Sequence, residues 1–101
     1  MSNPATPLVS IAVLKARLGR EQDLKKALLA LIEPTRAEPG NLDYVLFEGR
    51  DERGTFYMRE AFVDQAALDD HCATSHFQAF VAISGALLAE PLRLIFLDPV
   101  A

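Results

Sequence analysis

The sequence predicts a single α+β domain built around a four-stranded antiparallel sheet. Four short stretches rich in β-branched and aromatic residues alternate with segments of helical spacing. The 101 residues suffice for one hydrophobic core but not for two. Half of the residues are hydrophobic and 24% are charged, as in ordinary globular proteins. These observations favour one compact domain over a fibrous or disordered chain.

Each predicted strand is a run of apolar residues bounded by turn signals. The connection between the second and third strands, Asp51-Glu52-Arg53-Gly54, has the composition of a hairpin turn. The four strands are predicted at residues 8–14, 42–50, 55–62 and 92–97.

Three helices are predicted from the spacing of apolar residues between the strands. The first covers Arg20–Glu38, and Pro34 is expected to loosen its last turn. Asp64 is the predicted N-cap of a short second helix, and Ser75 with Gln78 forms a capping box for the third. The resulting order, β-α-β-β-α-α-β, is that of a ferredoxin-like split βαβ fold.

Both faces of the predicted sheet are apolar. The helices of a split βαβ fold cover one face, so the other would be a larger exposed apolar patch than soluble monomers usually tolerate. We therefore expect a homodimer, with a different protein partner as the alternative. In the first strand, one face carries Val9, Ile11 and Val13, and the other carries Leu8, Ala12 and Leu14.

Composition argues against several classes of partner. The net charge is -4, and ten Lys and Arg are scattered among fourteen Asp and Glu, which does not suit nucleic acid. No apolar run reaches the roughly 20 residues that span a bilayer. Residues 1–7 lack the features of a signal peptide and are predicted to be a flexible leader to a domain at 8–101. The single cysteine excludes an internal disulfide, so we expect a cytoplasmic protein.

Four short segments together resemble a known protein family in their order and spacing, although no single segment is distinctive. They are Thr35–Tyr44, Glu60, Ala67–His71 and Ser75–Phe80. This arrangement resembles the antibiotic biosynthesis monooxygenase (ABM) family, whose members are dimeric α+β barrels, and it extends over roughly residues 9–99. The resemblance implies that residues 8–101 form an ABM-like domain with a small-molecule pocket between the sheet and the helices.

The family contains more than one activity. Its members include cofactor-free monooxygenases of phenols, quinols and polyketides, haem-degrading enzymes, isomerases, and proteins without an assigned role. The resemblance implies a small aromatic or quinol-like substrate, dioxygen as co-substrate and no cofactor. An isomerase and a non-catalytic ligand-binding or stress-response protein are the alternatives. Haem degradation is not expected, because those members rely on a tryptophan and this chain has none.

Three titratable residues are candidates for acid–base catalysis. Glu60 shares its strand face with large apolar side chains, so burial should raise the pKa of its carboxyl. His71 lies near the inward stripe of the second helix, and an imidazole exchanges protons near neutral pH. His76 opens the third helix, where N-termini often face ligands. The alternatives are an ion pair or a rim position for Glu60, a core-edge position for His71 and an exposed one for His76.

Five further residues are candidates for substrate binding. Tyr44 and Asn41 could hydrogen-bond a substrate oxygen, although Asn41 also suits the turn that follows the helix. Arg59 could neutralise an anionic substrate, with an exposed arginine on the sheet as the alternative. Phe77 and Phe80 could form an aromatic wall, with a place in the core as the alternative.

No metal site is expected from the spacing of the ligand-type residues. His71 and His76 are five residues apart with a predicted helix break between them, unlike the i, i+4 pairs of helical metal sites. There is no second cysteine to form a zinc site. Cys72 is expected to be a small buried side chain on its helix.

Overall fold

The computed structural model describes residues 6–101, so the predicted leader falls largely on residues 1–5, outside the described range. The four strands form one antiparallel sheet in the order β2-β3-β1-β4, which confirms the predicted split βαβ fold. Within residues 6–101, no helix is long and apolar enough to cross a membrane. The elements are β1 (Leu8–Lys15), α1 (Glu21–Leu29), α2 (Ile32–Arg36), β2 (Asn41–Glu48), β3 (Thr55–Phe62), α3 (Gln65–Ala73), α4 (Ser75–Leu87) and β4 (Arg93–Leu97).

The predicted single helix Arg20–Glu38 is wrong, because the segment folds as two helices. α1 ends at Leu29 and α2 begins at Ile32, so the break precedes Pro34. Pro34 is the third residue of α2. The first-turn N–H groups of a helix have no partner within it, so a proline there removes no hydrogen bond. The proline therefore belongs to the start of a helix and not to its loosened end.

The turn between α3 and α4 is controlled by Thr74. Its Oγ1 accepts a hydrogen bond from the N–H of Phe77 at 3.2 Å and donates one to the carbonyl oxygen of His71 at 2.7 Å. Thr74 is thus the N-cap of α4, and the predicted capping box at Ser75 and Gln78 is wrong by one residue. One side chain ends α3 and begins α4, which fixes the angle between them.

The loop that enters β2 packs closely against α3. A Cβ atom built on Gly40 would collide with the side chain of Ala67, so the loop needs glycine there. The N–H of Val63 donates to the carbonyl oxygen of Gly40 at 2.9 Å. The carboxylate of Asp64 accepts from the N–H of Ala67 at 2.9 Å, which confirms the predicted cap of α3. Glu38, just before this contact, is thereby held beside α3.

The helices pack on one face of the sheet and form the core there with alternate residues of β1, β2 and β3. In the described part of the chain, no helix covers the other face. Cross-strand pairs such as Ile11 with Ile95 place a second set of apolar side chains on that open face. The side chain of Phe47, for example, is 47% exposed. The open-face apolar residues are Val9, Ile11, Val13, Val45, Phe47, Ile95 and Leu97.

Candidate functional site

A cavity of about 60 Å³ lies between the sheet and the helices. It has room for only a few water molecules, and its wall is mostly apolar. No Lys or Arg among residues 6–101 lines it. A charge inside such a cavity is poorly solvated, so the ionisable groups of the wall should have altered acidity. The wall residues with polar or titratable side chains are Tyr44, Glu60, His71 and Cys72.

Cross-strand pairing aligns Tyr44, Glu60 and Ser10 in one row on the helix-facing side of the sheet. Glu60 of β3 pairs with Tyr44 of β2 on one side and with Ser10 of β1 on the other. All three side chains are buried. The hydroxyl of Ser10 donates a hydrogen bond to Oε1 of Glu60 at 3.2 Å. The sheet therefore presents a phenol and a carboxyl side by side to the cavity.

Burial raises the pKa of the Glu60 carboxyl to about 7. Loss of solvation is the largest cause, the hydrogen bond from Ser10 opposes it, and the negative charge of Glu38 adds to it. This agrees with the burial predicted from the alternation of β3. A carboxyl with this acidity can accept or release a proton at neutral pH, as a general base or acid must.

Tyr44 is a hydrogen-bond donor at neutral pH. Burial first, and then the neighbouring Glu60, raise the pKa of its phenol well above the usual range. Its backbone is fixed by Arg36, whose guanidinium donates two hydrogen bonds to the Tyr44 carbonyl oxygen at 2.8 and 3.0 Å. Its ring meets that of His71 edge to face, with centroids 5.7 Å apart.

His71 is positioned by Glu38, which lies in the family-like segment Thr35–Tyr44 but was not among the predicted site residues. Nδ1 of His71 lies 2.8 Å from Oε2 of Glu38, and the His71 side chain is only 2% exposed. Because Glu38 engages Nδ1, Nε2 is the ring nitrogen left for a molecule in the cavity. The rings of Phe62 and Phe77 pack at centroid distances of 5.1 and 4.9 Å and hold the imidazole in place.

His76 binds the same carboxylate oxygen from the other side. Its Nε2 lies 2.7 Å from Oε2 of Glu38, and its side chain is 21% exposed. The turn at Thr74 brings the two histidine rings to a centroid distance of 6.1 Å although they are five residues apart in the chain. One potential ligand atom from each of Glu38, His71 and His76 lies within 4.8 Å of the others. The spacing of the two histidines along the chain therefore does not exclude metal-ligand geometry.

The remaining predicted site residues divide into two groups. Phe77 and Phe80 line the cavity. Asn41 and Arg59 do not. The Asn41 amide donates to the carbonyl oxygen of Asp43 at 3.1 Å, and the Arg59 guanidinium donates to the Asp43 carboxylate at 2.8 Å on the open face. Asn41 therefore has a structural role at the start of β2 and Arg59 lies in an ion pair on the open face, which agrees with the alternatives to substrate binding.

Cys72 is exposed on α3 although it contributes to the cavity wall, so the expectation that it is buried is wrong. Partial burial and nearby carboxylates, Glu60 foremost among them, raise the pKa of its thiol. A raised pKa disfavours the thiolate, which is the nucleophilic form of cysteine. Cys72 is therefore not a candidate nucleophile.

Comparison with known proteins finds relatives along most of the chain. A family model described as "Antibiotic biosynthesis monooxygenase" matches residues 7–83. The Bacillus subtilis (strain 168) protein named "Putative monooxygenase YcnE" is 38% identical over 88 residues, which are 87% of this chain and 93% of that protein. The Mycobacterium tuberculosis protein named "Putative monooxygenase Rv0793" is 34% identical over 94 residues, 93% of this chain and 92% of that protein.

Solved structures share the whole fold. The crystal structure of PA3566 from Pseudomonas aeruginosa has a TM-score of 0.93 and 38% sequence identity, and the match covers 99% of this chain and 100% of that one. The structure of Rv0793 has a TM-score of 0.88 and 33% identity, with 95% and 97% covered. The sheet and helices around the cavity therefore have counterparts in both proteins.

Proposed function

The chain belongs to the antibiotic biosynthesis monooxygenase family, and we propose that it oxidises a small phenolic, quinol or polyketide-like substrate with dioxygen and without a cofactor. The family and the relatives support a monooxygenase-type function. One observation carries the finer proposal: Glu60, a buried carboxyl whose pKa is raised to about 7, lines a mostly apolar cavity. Such a group is suited to deprotonate a phenol at neutral pH in a site that holds little water.

The proposed reaction draws all its electrons from the substrate. Glu60 takes the proton of the phenol O–H, and the phenolate passes one electron to dioxygen. The phenoxyl radical and superoxide combine to form a carbon–oxygen bond at the ring. Breaking the O–O bond then leaves one oxygen atom as a new carbonyl and releases the other as water. The ring loses two hydrogens and becomes a quinone, so no external reductant is consumed.

Tyr44 and His71 would position the substrate oxygen. Tyr44 donates a hydrogen bond, because its phenol keeps its proton. His71 offers Nε2, since Glu38 engages Nδ1 at 2.8 Å. His76 would act through Glu38 and not on the substrate, given its 2.7 Å contact with Oε2. Phe77 and Phe80 would supply the aromatic wall.

Entry of an aromatic substrate would require the cavity to open. A dry cavity of about 150 Å³ holds a benzene ring, whereas this one measures about 60 Å³. Phe77 and Leu92 line both this cavity and the neighbouring surface groove, so they separate the two. Leu92 is exposed, so its side chain has room to move, whereas the Phe77 ring packs against His71 at a centroid distance of 4.9 Å and stays in place. We propose that the substrate passes between them.

We also propose that two copies of the chain pair through the open faces of their sheets. The support is the set of open-face apolar residues, which no helix covers in the described part of the chain. A face of this kind is costly to expose to water, and a second identical face would cover it with two-fold symmetry.

Oxygen uptake with a panel of hydroquinones and naphthols tests the oxygenation. With isotopically labelled dioxygen, one labelled atom should appear in the product. Glu60→Gln should lower kcat by roughly 100-fold to 10,000-fold, the usual contribution of a general base. Glu33→Gln makes the same change at an exposed glutamate on α2 and should leave kcat unchanged. If no phenol consumes oxygen above the buffer rate but some raise the melting temperature, the ligand-binding alternative replaces this proposal.

A further inference from the structure

Two histidine nitrogens converge on one oxygen atom at the edge of the cavity. Nδ1 of His71 and Nε2 of His76 lie 2.8 and 2.7 Å from the same Oε2 of Glu38. A ring nitrogen directs its hydrogen bond or its lone pair along the same line in the plane of the ring. The two imidazoles are therefore aimed at one point, which is also how they would face a shared cation.

We propose that Glu38, His71 and His76 bind a divalent first-row transition-metal ion. Metal–nitrogen bonds of about 2.0–2.1 Å are shorter than the present nitrogen–oxygen distances by less than about 1 Å. An ion near the present position of Oε2 would reach both nitrogens after a small movement, while the carboxylate withdraws to become the third ligand. The three potential ligand atoms already lie within 4.8 Å of one another.

The surroundings of the trio allow the ion to enter and the ligands to adjust. Glu38 is 13% exposed and lines an open surface groove together with Asp64, Asp70 and Thr74. The two aspartates give the groove a negative charge, which attracts cations. The histidine that must keep its place, His71, is packed between Phe62 and Phe77. A fixed ring on one side and a movable carboxylate on the other suit capture of an ion from solvent.

The donor set indicates which ions would bind. Imidazole nitrogens favour Zn²⁺, Co²⁺, Ni²⁺ and Fe²⁺ over Mg²⁺ and Ca²⁺, which prefer sites made wholly of oxygen. Three protein ligands leave at least one coordination position for water or a small molecule. The trio shares His71 with the proposed substrate site, but through Nδ1 and not through Nε2, and it does not include Glu60, so this inference goes beyond the oxygenation proposal and is tested separately.

Titration of tag-free protein with Co²⁺ and Zn²⁺ tests the site. Calorimetry should show one ion per chain. Bound Co²⁺ should show the visible absorption bands that indicate a coordination number below six. The chain has only two histidines, so the imidazole NMR signals of both should shift together with added Zn²⁺. Mg²⁺ should neither bind in the calorimeter nor shift the histidine NMR signals. Absence of saturable Co²⁺ and Zn²⁺ binding at millimolar concentration would overturn the proposal.

Variants identify the ligands. Glu38→Gln and His76→Ala should each weaken binding by more than the roughly 10–100-fold that loss of an outer-sphere partner costs. His71 is buried and its replacement endangers the fold, so the two more exposed ligands carry the test, each checked by circular dichroism and melting temperature. Cys72→Ser should bind as the wild type does. Binding that survives both ligand substitutions, or that is lost in Cys72→Ser, would show that the ion sits elsewhere.

Discussion

The hydroxyl of Ser10 donates a hydrogen bond to Oε1 of Glu60 at 3.2 Å, between directly paired residues of β1 and β3. This bond lowers the pKa of Glu60, whereas burial, the larger influence, raises it. The pKa of about 7 therefore reflects burial and the charge of Glu38, which raise it, against the hydrogen bond from Ser10, which lowers it. That balance can be altered from either side.

Removing the donor should move the pH dependence of catalysis upward. The proposed base is the ionised form of Glu60, so kcat should rise with pH through about 7. Ser10→Ala removes a hydrogen bond that favours the carboxylate, and the midpoint of the rise should shift to higher pH. The kcat–pH profile measures this directly. Ser84→Ala, where the hydroxyl bonds only within α4 at 2.8 Å, is the matched control and should keep the wild-type midpoint. An unmoved midpoint in Ser10→Ala would remove Glu60 from the role of base.

Glu60 should also make the fold less stable as pH rises. Its pKa in the folded chain, about 7, is above the usual 4.5 of a glutamate carboxyl, so the folded state binds the proton more tightly than the unfolded state. The free energy of unfolding therefore falls as pH rises from about 4.5 to about 7, by on the order of 3 kcal/mol at most, and the penalty is complete above that window. Glu60→Gln lacks this penalty.

Melting temperatures of the wild type and Glu60→Gln across pH 4 to 9 measure that penalty. Glu60→Gln should gain stability relative to the wild type as pH rises through the window, because only the wild type must bury a charge. Subtracting the two curves cancels the other titrating groups, which both proteins share. A difference that stays constant with pH would mean that Glu60 is not buried in its charged form.

The features that depend on short-range patterns could be predicted from the sequence. Alternation along β3 places Glu60 on the apolar face, and the same alternation requires Arg59 to lie on the opposite one, as the structure shows. The break between α1 and α2 was not predictable from apolar spacing, because the buried residues run through it: Leu28 in α1, Leu31 between the helices and Thr35 in α2. The stripe of buried residues continues although the helix is interrupted.

The role of Glu38 could not be derived from local patterns. Its contact with His71 spans 33 residues and its contact with His76 spans 38. Both contacts depend on the close approach of Gly40 to α3 and on the turn at Thr74, which are tertiary features. Spacing within one segment carries no information about such an arrangement, so only two separate histidines were predicted where the structure has a connected trio.

Two glycine substitutions should have opposite effects on stability. Gly40→Ala forces a Cβ into the side chain of Ala67, so it should destabilise the fold by about 1–3 kcal/mol and disturb the neighbouring Glu38. Gly85→Ala adds a Cβ in α4 that meets nothing within 4 Å, so the higher helix propensity of alanine should stabilise the fold by about 0.5–1 kcal/mol. Urea unfolding of both variants gives the two values. Equal effects from the two substitutions would contradict the close packing at Gly40.

A single charge on the open face of the sheet should separate the proposed dimer. Ile11 lies in the middle of that face, between its cross-strand partners Arg59 and Ile95. Ile11→Lys would bury one unpaired ammonium group from each copy at the interface, at a combined cost of at least about 3 kcal/mol, which weakens association at least about 100-fold. The side chain points away from the core, so the monomer should stay folded. Light scattering coupled to size exclusion should then report the mass of one chain where the wild type gives two. Ile83→Lys makes the same change on the exposed surface of α4 and should remain dimeric. If Ile11→Lys keeps the mass of two chains, the copies meet through a different surface and the open face needs another partner.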